Sequence, residues 1–102
     1  MSDTTSQNSN DTVTVEITKY SVVDAEIPAD HEDRRHFTLQ VQRRGDGTWT
    51  IHHKGEYLGE DGRWGEDAHG FDHDTALARA KEEAPHLMVN GLTIGDVLAR
   101  RK

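Results

Sequence analysis

The chain has 102 residues, enough for one small domain and too few for two. Nineteen acidic residues against twelve basic ones leave a net charge of −7, which disfavours non-specific contact with nucleic acid or an anionic membrane surface. The absence of cysteine excludes a disulfide framework, a thiol nucleophile and a thiolate metal site.

No apolar run approaches the roughly 18 residues of a membrane span, and no basic stretch followed by an apolar one opens the chain. The expectation is a cytoplasmic protein without membrane contact. Residues 1–11 contain one apolar side chain, Met1, and cannot bury enough surface to offset the entropy of ordering. They read as a disordered tail ahead of a single domain over 12–102.

From Thr12 the pattern changes. Val13, Val15 and Ile17 alternate with Thr14, Glu16 and Thr18, the period of a half-buried strand. The phase is lost beyond Lys19, and a bulge near Tyr20 would restore it, giving one strand over 12–23. The next stretch, DAEIPADHEDRRH (24–36), carries Pro28 and seven charged residues and reads as an exposed connection.

HFTLQVQRR then sets Phe37, Leu39 and Val41 on one face and Thr38, Gln40 and Gln42 on the other. TWTIHH continues the alternation with Trp49 and Ile51 inward and Thr50 and His52 outward. Gly45-Asp46-Gly47 between them supplies the positive backbone angles of a hairpin turn. Lys54-Gly55 and Asp61-Gly62 are further turn signals, so 37–64 reads as an antiparallel meander of three or four strands.

A helix follows over about 73–84, with Ala76, Leu77, Ala80 and Ala84 at helical spacing, and Pro85 stops it. Beyond it come a short extended piece, an Asn90-Gly91 turn and a last short helix. Thr93 and Asp96 stand there in capping-box spacing, and Ile94, Val97 and Leu98 face inward. The fold class is α+β: an antiparallel sheet of three to five strands, one packed helix and a short C-terminal helix.

The combination of Trp49, Gly55, Leu58, Asp61-Gly62 and Trp64 with FDHDTAL (71–77) and VNGLTIGDVLAR (89–100) resembles short uncharacterised proteins encoded by actinobacteria and their phages. The likeness covers residues 37–100; it implies a shared fold and a mobile-element setting, and no activity. More loosely, a Trp-bearing strand, glycine turns and an alanine-lined helix are similar to the sheet-plus-helix DNA-binding domains of tyrosine integrases. That likeness would put Thr38, Gln40, Gln42, Thr50 and His52 on a DNA-facing surface, with Arg43 and Arg44 on phosphate.

DAHGFDHD (67–74) is the densest cluster of potential ligands. His69 and His73 are four apart, but the helix start falls between them, so they do not share a helical face as chelating pairs do. Asp72 suits the N-cap, Asp74 the positive end of the helix dipole, and Phe71 a staple onto Ala76. His52 and His53 are adjacent in a strand and point to opposite faces, so they cannot share an ion; His53 reads as a satisfied, partly buried histidine. The pairs Glu60-Asp61, Glu66-Asp67 and Glu82-Glu83 read as solvated surface, and no nucleotide-binding or nucleophile motif occurs.

The functional expectation is a small acidic, non-catalytic binding or regulatory module that engages a protein partner through Tyr57, Trp64, Arg43 and Arg44, with no cofactor. Two alternatives are a nucleic-acid module using the sheet face with Arg43 and Arg44, against which the net charge counts, and a metal-binding protein using His69 and His73.

Overall fold

The computed structural model describes residues 12–100, so the tail expected at 1–11 lies outside the described residues. Five strands, β1 (Lys19–Val23), β2 (Thr38–Arg43), β3 (Trp49–His53), β4 (Glu56–Leu58) and β5 (Trp64–Gly65), lie side by side in chain order. Each pairs antiparallel with the next. Turn chemistry explains this order. Lys54 (φ 50) and Gly55 (φ 87) both take positive φ between β3 and β4, the two-residue turn whose twist matches that of the strands. Of the two glycines between β2 and β3, only Gly47 (φ 88) does so, while the Asp46 carboxylate accepts the Thr48 N–H at 2.9 Å.

Alternation puts Leu39, Val41, Ile51 and Leu58 on one face, all fully buried. Burial of each such side chain contributes about 1.5–3 kcal/mol. Tyr20 and Val22 of β1 stand opposite Val41 and Leu39 and extend that face. The main helix, α1 (His73–Glu83), lays Ala76 and Ala80 against it, with Ala84 just past the helix end. Methyl side chains hold the helix close to the sheet, and larger ones would lift it off.

The entrance to α1 is tied down at several points. Phe71 and Trp49 exchange both backbone hydrogen bonds at 2.8 Å, forming an antiparallel bridge outside the named strands. Gly70 passes so close to Thr48 that a methyl group there would lie 2.7 Å from the Thr48 Cβ. Asp72 caps the helix: its carboxylate accepts the Thr75 N–H at 2.8 Å and the Thr75 hydroxyl at 3.0 Å. Arg79, two turns on, lies over the Phe71 ring at 5.4 Å from its centre.

Helix α1 gives way to a single tighter turn over Ala84–His86, as Pro85 requires. A small hairpin follows, β6 (Met88–Val89) and β7 (Leu92–Thr93), turning on Asn90 (φ 53) and Gly91 (φ 79). The last helix, α2 (Ile94–Arg100), opens on the expected reciprocal cap. Asp96 accepts the Thr93 N–H at 3.0 Å, and the Thr93 hydroxyl accepts the Asp96 N–H at 3.1 Å. Ile94 and Val97 are buried and Leu98 is half-buried. No described helix is long and apolar enough to cross a membrane.

Three expectations are corrected. The first strand begins at Lys19, not Thr12, and its register runs unbroken from Lys19 opposite Gln42 to Val23 opposite Thr38, without a bulge. Its neighbour β2 ends at Arg43, whose N–H donates to the Thr18 carbonyl at 2.8 Å; upstream of that rung there is no β2 left to pair with. Val13, Val15 and Ile17 are therefore exposed. The connection 24–36 is not merely exposed: Ile27 and His31 are buried, and a short 3-10 helix spans Arg34–Phe37. The Arg34 guanidinium donates to the Ile27 carbonyl at 2.6 Å and holds the segment over Phe37 and the core. Finally, Thr50 is buried, since it lies on a central strand opposite Gln42 and its hydroxyl donates to the Gln42 carbonyl.

Replacement of Gly70 by alanine is expected to cost about 1–3 kcal/mol in chemical denaturation, the usual range for overpacking. Gly45→Ala, where an added methyl meets nothing and φ is not positive, is the control and changes little. The Asp72 carboxyl is held below its ordinary value of 3.8, first by the Thr75 N–H and then by the Thr75 hydroxyl. A carboxyl with a lowered folded value stabilises the fold above 3.8 and loses that contribution as pH falls through the folded value. The melting temperature of Asp72→Asn should accordingly fall less steeply than that of the wild type on acidification below 3.8.

Candidate functional site on the open face of the sheet

With α1 and the core on one side, the other side of the sheet carries the alternate residues of each strand. These are Lys19, Ser21 and Val23 on β1, Thr38, Gln40 and Gln42 on β2, Thr50 and His52 on β3, and Tyr57 on β4. Residues directly opposite in an antiparallel pair share a face, so Ser21, Gln40, His52 and Tyr57 form one straight row across four strands. Strand spacing sets successive members about 4.8 Å apart. The His52 and Tyr57 rings meet at 5.7 Å between centres, tilted by 51°.

The row is polar and close to neutral. Among the strand residues of this face the one formal charge is Lys19, in a chain whose net charge is −7. The His52 imidazole is held below its ordinary value of 6.5 by partial burial, with repulsion from Lys19 and His53 adding to the effect. Burial thus favours its neutral form, which has one ring donor and one ring acceptor. Beside it the side-chain carbonyl of Gln40 is buried and accepts no hydrogen bond.

At one end the row opens into a hollow of about 490 Å³. Ser21, Val23 and Thr38 form its sheet side, and His31, Glu32, Arg34 and Arg35 its loop side. Neither arginine is ion-paired with a carboxylate among the described residues. Sequence reading missed these residues: the charged run 24–36 looked like solvated surface, and only the tertiary fold sets Arg34 and Arg35 beside Ser21 and Val23.

The four expected contact residues do not form one patch. Tyr57 belongs to the open row, whereas Trp64, opposite Leu58, turns to the core side, where its ring meets that of His53 at 6.1 Å. Both border a shallow hollow of about 210 Å³ at the β5 edge. Arg43 and Arg44 lie at the other end of β3, at the hairpin tip. There Arg43 is ion-paired with Glu16 at 2.8 Å, and Asp46 is held in its charged form by the Thr48 hydroxyl and N–H. Two arginines and two carboxylates leave the tip without net charge.

Both histidines of DAHGFDHD have structural partners. His73 lies within 3.0 Å of the Tyr20 hydroxyl through Nε2 and 2.9 Å of the Asp74 carboxylate through Nδ1. Its ring stands edge-on to Trp49 at 5.1 Å. His69 packs edge-on against Phe71 at 4.5 Å. Among the described residues no three His, Cys, Asp or Glu side chains are grouped to hold a metal ion. His53 is satisfied as expected, with Nε2 at 2.7 Å from the His36 carbonyl.

No protein-family model, curated protein or solved structure matches this chain.

The lowered His52 value gives a measurable signature. Folding disfavours its protonated form, so stability falls as pH drops below 6.5 and levels off once the folded imidazole is protonated too. The His52 proton resonances should titrate with a midpoint below 6.5, and His52→Gln should remove this part of the stability decline.

Proposed function

We propose that this chain is a non-catalytic binding module that engages a protein partner through the open face of its sheet. The observation that carries this reading is the Ser21–Gln40–His52–Tyr57 row on the face opposite α1, polar, without acidic side chains on an otherwise acidic chain, and carrying the Tyr57 ring beside that of His52. Depletion of charge around an aromatic residue is what distinguishes the centre of a protein interface from ordinary surface. Acidic surface elsewhere orients the approach and raises the association rate toward a partner with basic surroundings. The hollow at the end of the row, lined by Arg34 and Arg35 against the single carboxylate of Glu32, has room for an acidic side chain of that partner.

The neutral hairpin tip works against nucleic acid as the ligand, because phosphate binding draws its affinity from uncompensated lysine and arginine. The two surfaces predict different outcomes. In affinity capture from a cognate lysate, the wild type should retain a protein that the double variant His52→Ala, Tyr57→Ala loses at least about tenfold, as expected for central interface residues. Both proteins should stay folded at pH 7, the double variant losing only the roughly 0.2–1 kcal/mol of one cross-strand pair. Equal retention by the two, or retardation of duplex DNA at low salt that Arg43→Ala abolishes, would refute the reading.

A further inference from the structure

Four large hydrophobic side chains are exposed among the described residues, and three of them fall within five positions: Val13 (62%), Val15 (96%) and Ile17 (64%). Isolated exposed apolar residues are ordinary, but an alternating run of β-branched ones leading into a sheet edge is not. The run feeds directly into β1, the first strand of the sheet, whose outer edge pairs with no other described strand. Proteins usually blunt such an edge with proline or lysine; residues 12–18 contain neither.

We propose that residues 12–18 are the contact strand of a homodimer, pairing antiparallel with the same segment of a second copy. The two-fold axis passes through Val15. Self-complementarity argues for this occupant. Centred on Val15, an antiparallel pair sets Val15 opposite Val15, Val13 opposite Ile17 and Thr14 opposite Glu16. All apolar side chains then meet apolar neighbours on one face. A centre one residue later sets Glu16 against Glu16, like charges directly opposed, and Val13 against Lys19.

Electrostatics point the same way. Two copies with net charge −7 repel each other over most of their surface. In this segment the one ionisable side chain, Glu16, is already paired with Arg43 at 2.8 Å, so self-contact here adds no uncompensated charge. A seven-residue strand pair is smaller than the roughly 1,200 Å² of a stable interface, so the dimer forms and dissociates with concentration. The surface is separate from the open row and does not depend on it.

The test uses the absence of cysteine. Single replacements in the full chain report the register, because directly opposed positions lie within disulfide reach. Under mild oxidation Val15→Cys should cross-link to itself. Val13→Cys and Ile17→Cys should each form no disulfide alone and cross-link when mixed. Sedimentation of the wild type should move from 11.5 kDa toward twice that mass as concentration rises. Val15→Lys should abolish that shift with no change in melting temperature at low concentration, since the side chain is exposed. The proposal is overturned if the wild type stays monomeric to about 1 mM, or if all three cysteine variants self-link equally. It is also overturned if an added peptide strand binds this segment while the chain itself stays monomeric. Loss of the dimer with partner capture intact, or the reverse, separates this proposal from the partner surface.

Discussion

Two backbone hydrogen bonds between Trp49 and Phe71 join the start of β3 to the residue just before the helix cap. Much of the remaining architecture follows from that junction. It brings Gly70 flush against Thr48, sets Asp72 where its carboxylate meets the free N–H groups of the first helical turn, and directs α1 across the sheet. It also delivers the His73 ring to Tyr20 and Trp49, so β1, β3 and α1 meet in one aromatic cluster. Displacing Phe71 would leave two peptide groups unpaired and loosen the alanine face of α1 from Leu39, Val41 and Ile51 together.

One consequence is the one-sidedness of the sheet. A single main helix covers one face of five strands, and the small C-terminal hairpin and helix close that same side around Ile27 and Phe37. The opposite face has no helix over it, and its composition suits that: threonine, glutamine, serine, histidine, one lysine and one tyrosine, with a single valine, Val23, at its edge. A sheet face that had only to stay soluble would tolerate the acidic side chains abundant elsewhere in this chain. Here they are missing from the strands, and the Tyr57 ring stands beside that of His52. That departure from ordinary surface is the physical basis for regarding the face as a contact surface.

How legible these features were in the sequence depended on the range of the interactions behind them. Turns at Lys54-Gly55 and Asn90-Gly91, the Asp72 cap and the reciprocal Thr93–Asp96 cap are local: each is decided by groups within four residues. They read correctly because nothing distant competes with them. The strand expected from Thr12 failed for the opposite reason. Alternation in TVTVEIT is genuine, but a strand needs a neighbour of equal length, and β2 turns away at Arg43. The segment 24–36 looked like plain exposed loop because its charges outnumber its apolar residues, although a single buried isoleucine and a bonded arginine suffice to fold it inward.

Periodicity and turn residues by themselves determined the class of this protein, the antiparallel meander that follows Phe37, the extent of α1 within a residue and the chemistry at its caps. The pairing of β1 with β2 was decided by the tertiary fold. Which side chains share a surface was decided only in three dimensions. Tyr57 and Trp64 are close in sequence, yet they were parted because residues one step out of phase across a pair of strands face opposite ways. Arg34 and Arg35 joined Ser21 and Val23 because burial of Ile27 folds their loop back over the end of β1. His69 and His73, chemically the most suggestive residues in the chain, were each claimed by a neighbouring ring. A site is a set of distances, and local sequence rules constrain distances only over a turn or two.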